Sequence, residues 1–150
     1  MCNKSQLLDE FKKWNSFILE MKDFDWTTSK KDGQWTIHDI VSHIMLWDKY
    51  FFEEVIERIS TDKPLAKSLL NLTFDEFNKN SIEHGKTLRK DELIELTMKY
   101  RNLLIDNITN MDELKFTKGY FDNKFTVEGY LKDFIWHDQH HMKQMEVLKK

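Results

Sequence analysis

The stretch Trp35-Thr36-Ile37-His38-Asp39-Ile40-Val41-Ser42-His43-Ile44-Met45-Leu46-Trp47 decides the fold class of this 150-residue chain. Thr36 is a good N-cap, because its hydroxyl accepts from an amide that the first helical turn leaves without a partner. Asp39, three residues on, stands where a capping-box acid belongs. From there apolar residues recur at helical spacing, and the pattern continues to about Ile59. Glycine (4) and proline (1) are scarce, so the chain has few places to turn and long amphipathic stretches between them. The expected fold class is all-α.

Working outward, a first helix is expected from about Ser5 to Met21, with Leu7, Phe11, Trp14, Ile18 and Met21 at three- and four-residue steps. Lys30-Lys31-Asp32-Gly33 marks the turn before Thr36. Pro64 breaks the chain after Ser60-Thr61-Asp62-Lys63, and Thr73-Phe74-Asp75-Glu76 reads as a second capping box, opening a short helix that ends near Gly85. A third long helix spans about Asp91 to Met111, with Leu93, Leu96, Tyr100, Leu104 or Leu103, and Ile108 facing inward. After a loop containing Gly119 and Asn123, Thr126 caps a fourth long helix that runs to about Leu148. Four long amphipathic helices predict a four-helix bundle with long connections, one domain over residues 1–150. Bundles of this kind build metal sites from inward-facing side chains of adjacent helices.

Composition narrows the function classes. Lysine plus arginine number 23 against 26 acidic residues, and no cationic cluster gathers on one expected face, so the phosphate-neutralising footprint of a nucleic-acid binder is missing. Pairs such as Lys12-Lys13 and Lys149-Lys150 read as solvated helix surface. No apolar run approaches a membrane span, and Met1-Cys2-Asn3-Lys4-Ser5 lacks the apolar region of a signal peptide. The single cysteine, Cys2, has no partner within the chain, which fits a reducing compartment. A cytoplasmic protein with no nucleic-acid and no membrane partner is the expectation. No glycine-rich phosphate loop, Gly-x-Ser-x-Gly elbow or activated cysteine occurs.

The chemistry-bearing residues are histidines. In Trp136-His137-Asp138-Gln139-His140-His141, His137 and His141 are spaced i, i+4 and point the same way on a helix. At about 100° per residue, Tyr130, Phe134, His141, Met145 and Leu148 fall within about 80° of His137, so the pair stands at one edge of the buried face. The same construction puts His43 at the edge of the apolar arc that carries Ile40, Trp47 and Phe51, whereas His38 points elsewhere. His140 falls on the other side of His137, yet at i+3 it reaches an ion if the helix is locally tightened. Three imidazoles with room for water or substrate make a catalytic-type metal site, although a histidine on an apolar face is also a common hydrogen-bonded core residue. Asp48 and Asp138 fall inside the apolar arcs, either as acceptors orienting a metal-bound imidazole or, the favoured reading, as carboxylates with a structural partner such as Arg101. Trp14, Trp47 and Trp136 read as packing residues.

These residues resemble a known family. Trp136-His137-Asp138-Gln139-His140-His141-Met142-Lys143-Gln144-Met145 looks like the final-helix motif of the DinB/YfiT-like metalloproteins, in which His-x-x-His-His supplies its first and last histidines as ligands. Trp35-Thr36 leading into Ser42-His43-Ile44-Met45-Leu46-Trp47 resembles the second-helix motif that supplies the third. Size and helix order match over nearly the whole chain. The resemblance implies a four-helix bundle, frequently a homodimer, with a divalent metal such as nickel or zinc on His43, His137 and His141. It also implies a small-molecule substrate, with metal-dependent hydrolysis, or transfer or isomerisation using a low-molecular-weight thiol cosubstrate such as bacillithiol or mycothiol. One branch acts on a reactive toxin without the full triad, which is complete here. The competing expectation is a non-enzymatic stress or self-resistance protein that sequesters a small hydrophobic molecule.

Overall fold

The computed structural model describes residues 4–28, 33–65 and 73–149. In chain order these form α1 (Lys4–Met21), α2 (Ile37–Phe51), a π-helical turn (Phe52–Ile56), α3 (Glu57–Ser60), α4 (Phe74–Gly85), α5 (Lys90–Asn110), α6 (Glu113–Thr117) and α7 (Val127–Leu148). Among the described residues there is no strand, only an isolated bridge between Tyr120 and Phe125. The fold is all-helical, and it carries helices beyond the four long ones expected. Cys2, Lys30, Lys31, Asp32 and Lys150 lie outside the described residues.

α2 begins as its sequence predicts. Thr36 Oγ1 accepts from the Asp39 amide at 3.0 Å and the Asp39 carboxylate accepts from the Thr36 amide at 3.1 Å, so both orphan donors are satisfied reciprocally. α7 begins the same way on one side, with Thr126 Oγ1 accepting from Gly129 N at 2.8 Å. The second capping box does not form: Thr73 makes no side-chain cap bond, and α4 opens on the backbone bond from Phe77 N to Thr73 O. Thr73 is exposed, so water competes for its hydroxyl. In the stretch read as a loop before Gly119, Asp112 caps α6 by accepting from Lys115 N at 2.8 Å, and Phe116 is buried there. One apolar anchor was enough to turn that connection into a helix.

α1 packs on α5 and α7, and α2 packs on α4, α5 and α7. Their inward faces carry Leu8, Phe11, Trp14 and Ile18 from α1, Ile40, Ile44 and Trp47 from α2, Leu93, Leu104 and Ile108 from α5, and Leu131 and Met145 from α7, all buried. α4 is clamped to the start of α2. Its Gly85 carbonyl accepts from His38 Nε2 at 2.8 Å. A Cβ at Gly85 would stand 1.9 Å from Ser42 Oγ, so only glycine permits this approach. At the other end of α4 the Phe77 ring stacks on Trp47 with centroids 3.9 Å apart.

The polar centre of the core is Arg101 of α5, fully buried. Its guanidinium donates to Asp48 of α2 at 2.8 and 3.2 Å, to Asp138 of α7 at 2.7 and 3.1 Å, and to the Phe11 carbonyl of α1 at 3.0 Å. One side chain therefore ties together all four long helices, and the Phe11 ring covers it at 3.9 Å. Burial pushes the Asp48 carboxyl up, with the Arg101 charge pulling it back. Asp138, under the same opposing influences, is pushed up to about 6. For the guanidinium, burial works against the charge and the two carboxylates more than reverse it, so it stays protonated.

Candidate metal centre

His43 comes from the second turn of α2, and His137 and His141 come from one face of α7, the helix whose Asp138 is fixed by Arg101. The three imidazoles meet through the same ring atom. His43 Nε2 lies 3.1 Å from His137 Nε2, which lies 3.2 Å from His141 Nε2. One ligand nitrogen from each of the three lies within 4.8 Å of the others. His43 and His141 are buried and His137 is half-buried. The Trp35 ring flanks the cluster, 5.1 Å from the His43 ring and 6.4 Å from the His141 ring, and Phe134 stands 5.4 Å from His137.

Hydrogen bonding alone leaves this cluster unsatisfied. Gln144 Oε1 accepts from His141 Nδ1 at 2.6 Å, which puts the His141 proton on Nδ1 and leaves Nε2 a lone pair. His137 Nε2 can then donate its one proton to His141, but it has none to offer His43. The Nδ1 atoms of His43 and His137 are buried without a partner, so no tautomer of these two rings is fully paired. A cation uses all three Nε2 lone pairs at once. Two nitrogens bound about 2.0–2.1 Å from one ion stand roughly 3.0–3.4 Å apart at ordinary coordination angles, and the two closest separations fall in that range. The donor set thus fits a divalent ion that accepts imidazole.

The imidazoles are held neutral, as ligation requires. Burial, followed by the charges of His137 and His141, pushes His43 down to about 3, against the influence of the nearby Asn78 amide. Burial, followed by His141 and His140, takes His137 to about 4. Burial also lowers His141, against the Gln144 hydrogen bond.

A family model described as DinB superfamily matches residues 6–145 of this chain, nearly its whole length. The chain belongs to the DinB superfamily. No curated protein and no solved structure matches it.

Within this DinB-superfamily chain the other candidate residues sort clearly. His140 is exposed and stacks on Trp136, with centroids 5.4 Å apart and planes 9° from parallel. Trp14 and Trp47 are core residues as expected, but Trp136 is 66% exposed, a correction to its reading as packing. On α7 it follows the His140 flank, away from the buried face. Asp48 and Asp138 are partners of Arg101, as the favoured reading had it, and neither makes a hydrogen bond to an imidazole among the bonds described. Sequence reasoning missed two residues. Gln144, at i+3 from His141, was legible from spacing alone. Asn78 was not, because it meets α2, where Trp47 Nε1 donates to its Oδ1 at 2.9 Å, only through the packing of α4 on α2.

Proposed function

We propose that this DinB-superfamily protein is a metal-dependent enzyme acting on a small molecule, with His43, His137 and His141 as the ligands of one divalent ion, nickel or zinc. The observation that carries the proposal is the convergence of three Nε2 atoms from two helices in a cluster that no set of tautomers satisfies. A bound divalent ion supplies Lewis acidity that lowers the pKa of a nucleophile, either water for hydrolysis or the sulfur of a low-molecular-weight thiol for transfer.

The protein's residues do the rest. Gln144 holds the His141 proton on Nδ1, so that Nε2 faces the cluster, and burial keeps the three rings unprotonated near neutral pH. Trp35 and Phe134 limit water around the rings. The route proposed for the substrate is the cleft of about 370 Å³ that shares Trp35 with the cluster. The proposal takes residues 1–150 as a single four-helix-bundle domain, assembling as a homodimer. A cytoplasmic location belongs to it as well, resting on the single cysteine and on there being, among the described residues, no helix long and apolar enough to cross a membrane.

The test is turnover of activated esters and of electrophiles offered with a small thiol, before and after chelation. Activity lost on chelation and restored by one metal supports the reading. Tight binding of a small molecule with no turnover under any metal assigns the protein to sequestration instead.

A further inference from the structure

His43 and His141 are 3% and 7% exposed, so a molecule larger than an ion reaches the three Nε2 atoms only if a neighbour moves. α4 is the neighbour built to do so. α1, α2, α5 and α7 each bury several large apolar side chains, whereas the residues that α4 buries are Ser81 and Gly85. Its Phe77 and Ile82 are half-buried and its Phe74 is 62% exposed. An open cleft runs along each of its edges. One, of about 600 Å³, lies between its Phe77 and Ser81 and the Leu46 and Tyr50 side chains of α2, and the other is the cleft of about 370 Å³ that it shares with Trp35. The specific contacts that fix α4 to α2 fall in two places. Toward its start, Trp47 Nε1 donates to Asn78 Oδ1 at 2.9 Å and the Phe77 ring stacks on Trp47. At its end, His38 Nε2 donates to the Gly85 carbonyl, and Gly85 lies against Ser42 where no Cβ fits.

α4 also adjoins both tryptophans next to the cluster. Trp47, one turn after His43 on α2, has the Phe74 and Phe77 rings 5.4 and 3.9 Å away, and it meets Phe134, the neighbour of His137. Trp35, 5.1 Å from the His43 ring, stands across the smaller cleft from α4. Resting on the metal-centre reading above, we propose that α4 is a lid on the histidine site. It turns about Gly85, where the His38 bond and the close fit to Ser42 hold, and lifts its Phe74 end from Trp47, which widens the cleft beside Trp35 for a substrate. Opening breaks one neutral hydrogen bond and one ring stack, far less than global unfolding breaks. A 12-residue helix does not hold its shape in water once detached, so each opening exposes its lifted amides to exchange.

Hydrogen exchange of the metal-free full chain, together with the rates at which nickel is taken up and is removed by a chelator, tests this. In the wild type the amides of Asn78 to Ser81 are expected to exchange at least about a hundredfold faster than those in the middle of α5 and α7, because they need only a local opening. Asn78→Ala is expected to speed α4 exchange and nickel removal together by about fivefold, the worth of one neutral hydrogen bond, and Phe77→Ala by about tenfold, the worth of a ring stack. Nickel uptake should quicken by the same factor and the equilibrium affinity should stay unchanged, since a lid that does not touch the ion favours neither state of the site. Wild-type α4 amides as protected as those of α5 overturn the lid, and so does nickel removal that neither variant alters. Affinity that falls in step with faster removal, or equal acceleration of exchange in α5 and α7, overturns it as well by assigning the two residues to ligand support or to overall stability. Wild-type protein that takes up no nickel overturns the metal-centre reading and the lid's role with it, whereas a loaded wild type with unaltered removal in both variants overturns the lid alone.

Discussion

Arg101 and Asp138 are joined by two hydrogen bonds, of 2.7 and 3.1 Å, and Asp138 is the residue that follows His137 in α7. The same guanidinium holds Asp48, five residues after His43 in α2. The ion-paired core and the histidine cluster are thus carried on the same two helix segments, and the register that Arg101 imposes between α2 and α7 is the register that brings His43 to His137.

Removing Arg101 leaves two carboxylates buried and unpaired, a far larger penalty than the pair's own worth. Arg101→Met is expected to lose about 3–5 kcal/mol of unfolding free energy by urea titration. The triple change Asp48→Leu, Arg101→Met, Asp138→Leu is expected to recover most of that loss, because no charge then remains to be solvated. A loss below about 1 kcal/mol in the single variant would contradict a buried role for the charge.

Acid sensitivity of the metal-free protein follows from the depressed histidines. An imidazole with an unfolded pKa near 6.5 and a folded value of about 3 or 4 binds more protons when unfolded. Its contribution is therefore full above 6.5 and is lost as pH falls from 6.5 toward the folded value. Asp138, raised to about 6, works in the opposite sense, adding stability that disappears as pH rises through 6. The difference in unfolding free energy between wild type and His137→Gln isolates the imidazole: it should rise from pH 4 to 6.5 and be flat above. A difference that falls over that interval contradicts the neutral cluster.

The adjacent histidines separate by exposure. His141→Ala is expected to lose bound metal and activity, while His140→Ala, which removes an exposed ring stacked on Trp136 and 5.2 Å from the His141 ring, keeps both. Metal stoichiometry of the two single variants decides the matter, and the reverse pattern would move the ligand assignment to His140.

Gln144 acts on the metal through His141. Its loss frees the His141 ring to change tautomer, so Gln144→Ala should lower metal affinity about tenfold, at the lower end for an outer hydrogen bond because Gln144 is exposed. Gln144→Glu, a stronger acceptor for Nδ1–H, should restore or exceed the wild-type affinity. Competition against a chromophoric chelator measures both, with helicity by circular dichroism unchanged.

Much of this architecture was readable in advance because it is local. Helical spacing located the long helices, the Thr36 and Asp39 pair marked the start of α2, and wheel geometry put His43, His137 and His141 at the edges of buried faces. Arg101 as the partner of Asp48 and Asp138 was also legible, since buried carboxylates demand a cation. What escaped depends on tertiary packing. α6 forms around one buried phenylalanine, Trp136 turns outward on the flank of α7 that carries His140, and Asn78 meets Trp47 only because Gly85 lets α4 approach α2. The π turn at Phe52–Ile56 leaves no mark in the apolar pattern.

The central claim is that a single ion is held across two helices, and His43 is the ligand that α7 cannot replace. The direct measurement is element-specific metal analysis of untagged wild type and His43→Ala, with circular dichroism on both. The account predicts stoichiometric divalent metal in the wild type and its loss in the variant, with helicity retained because the core stands without the ion. Equal metal content in the two proteins, or none in the wild type after exposure to nickel and zinc, would contradict it.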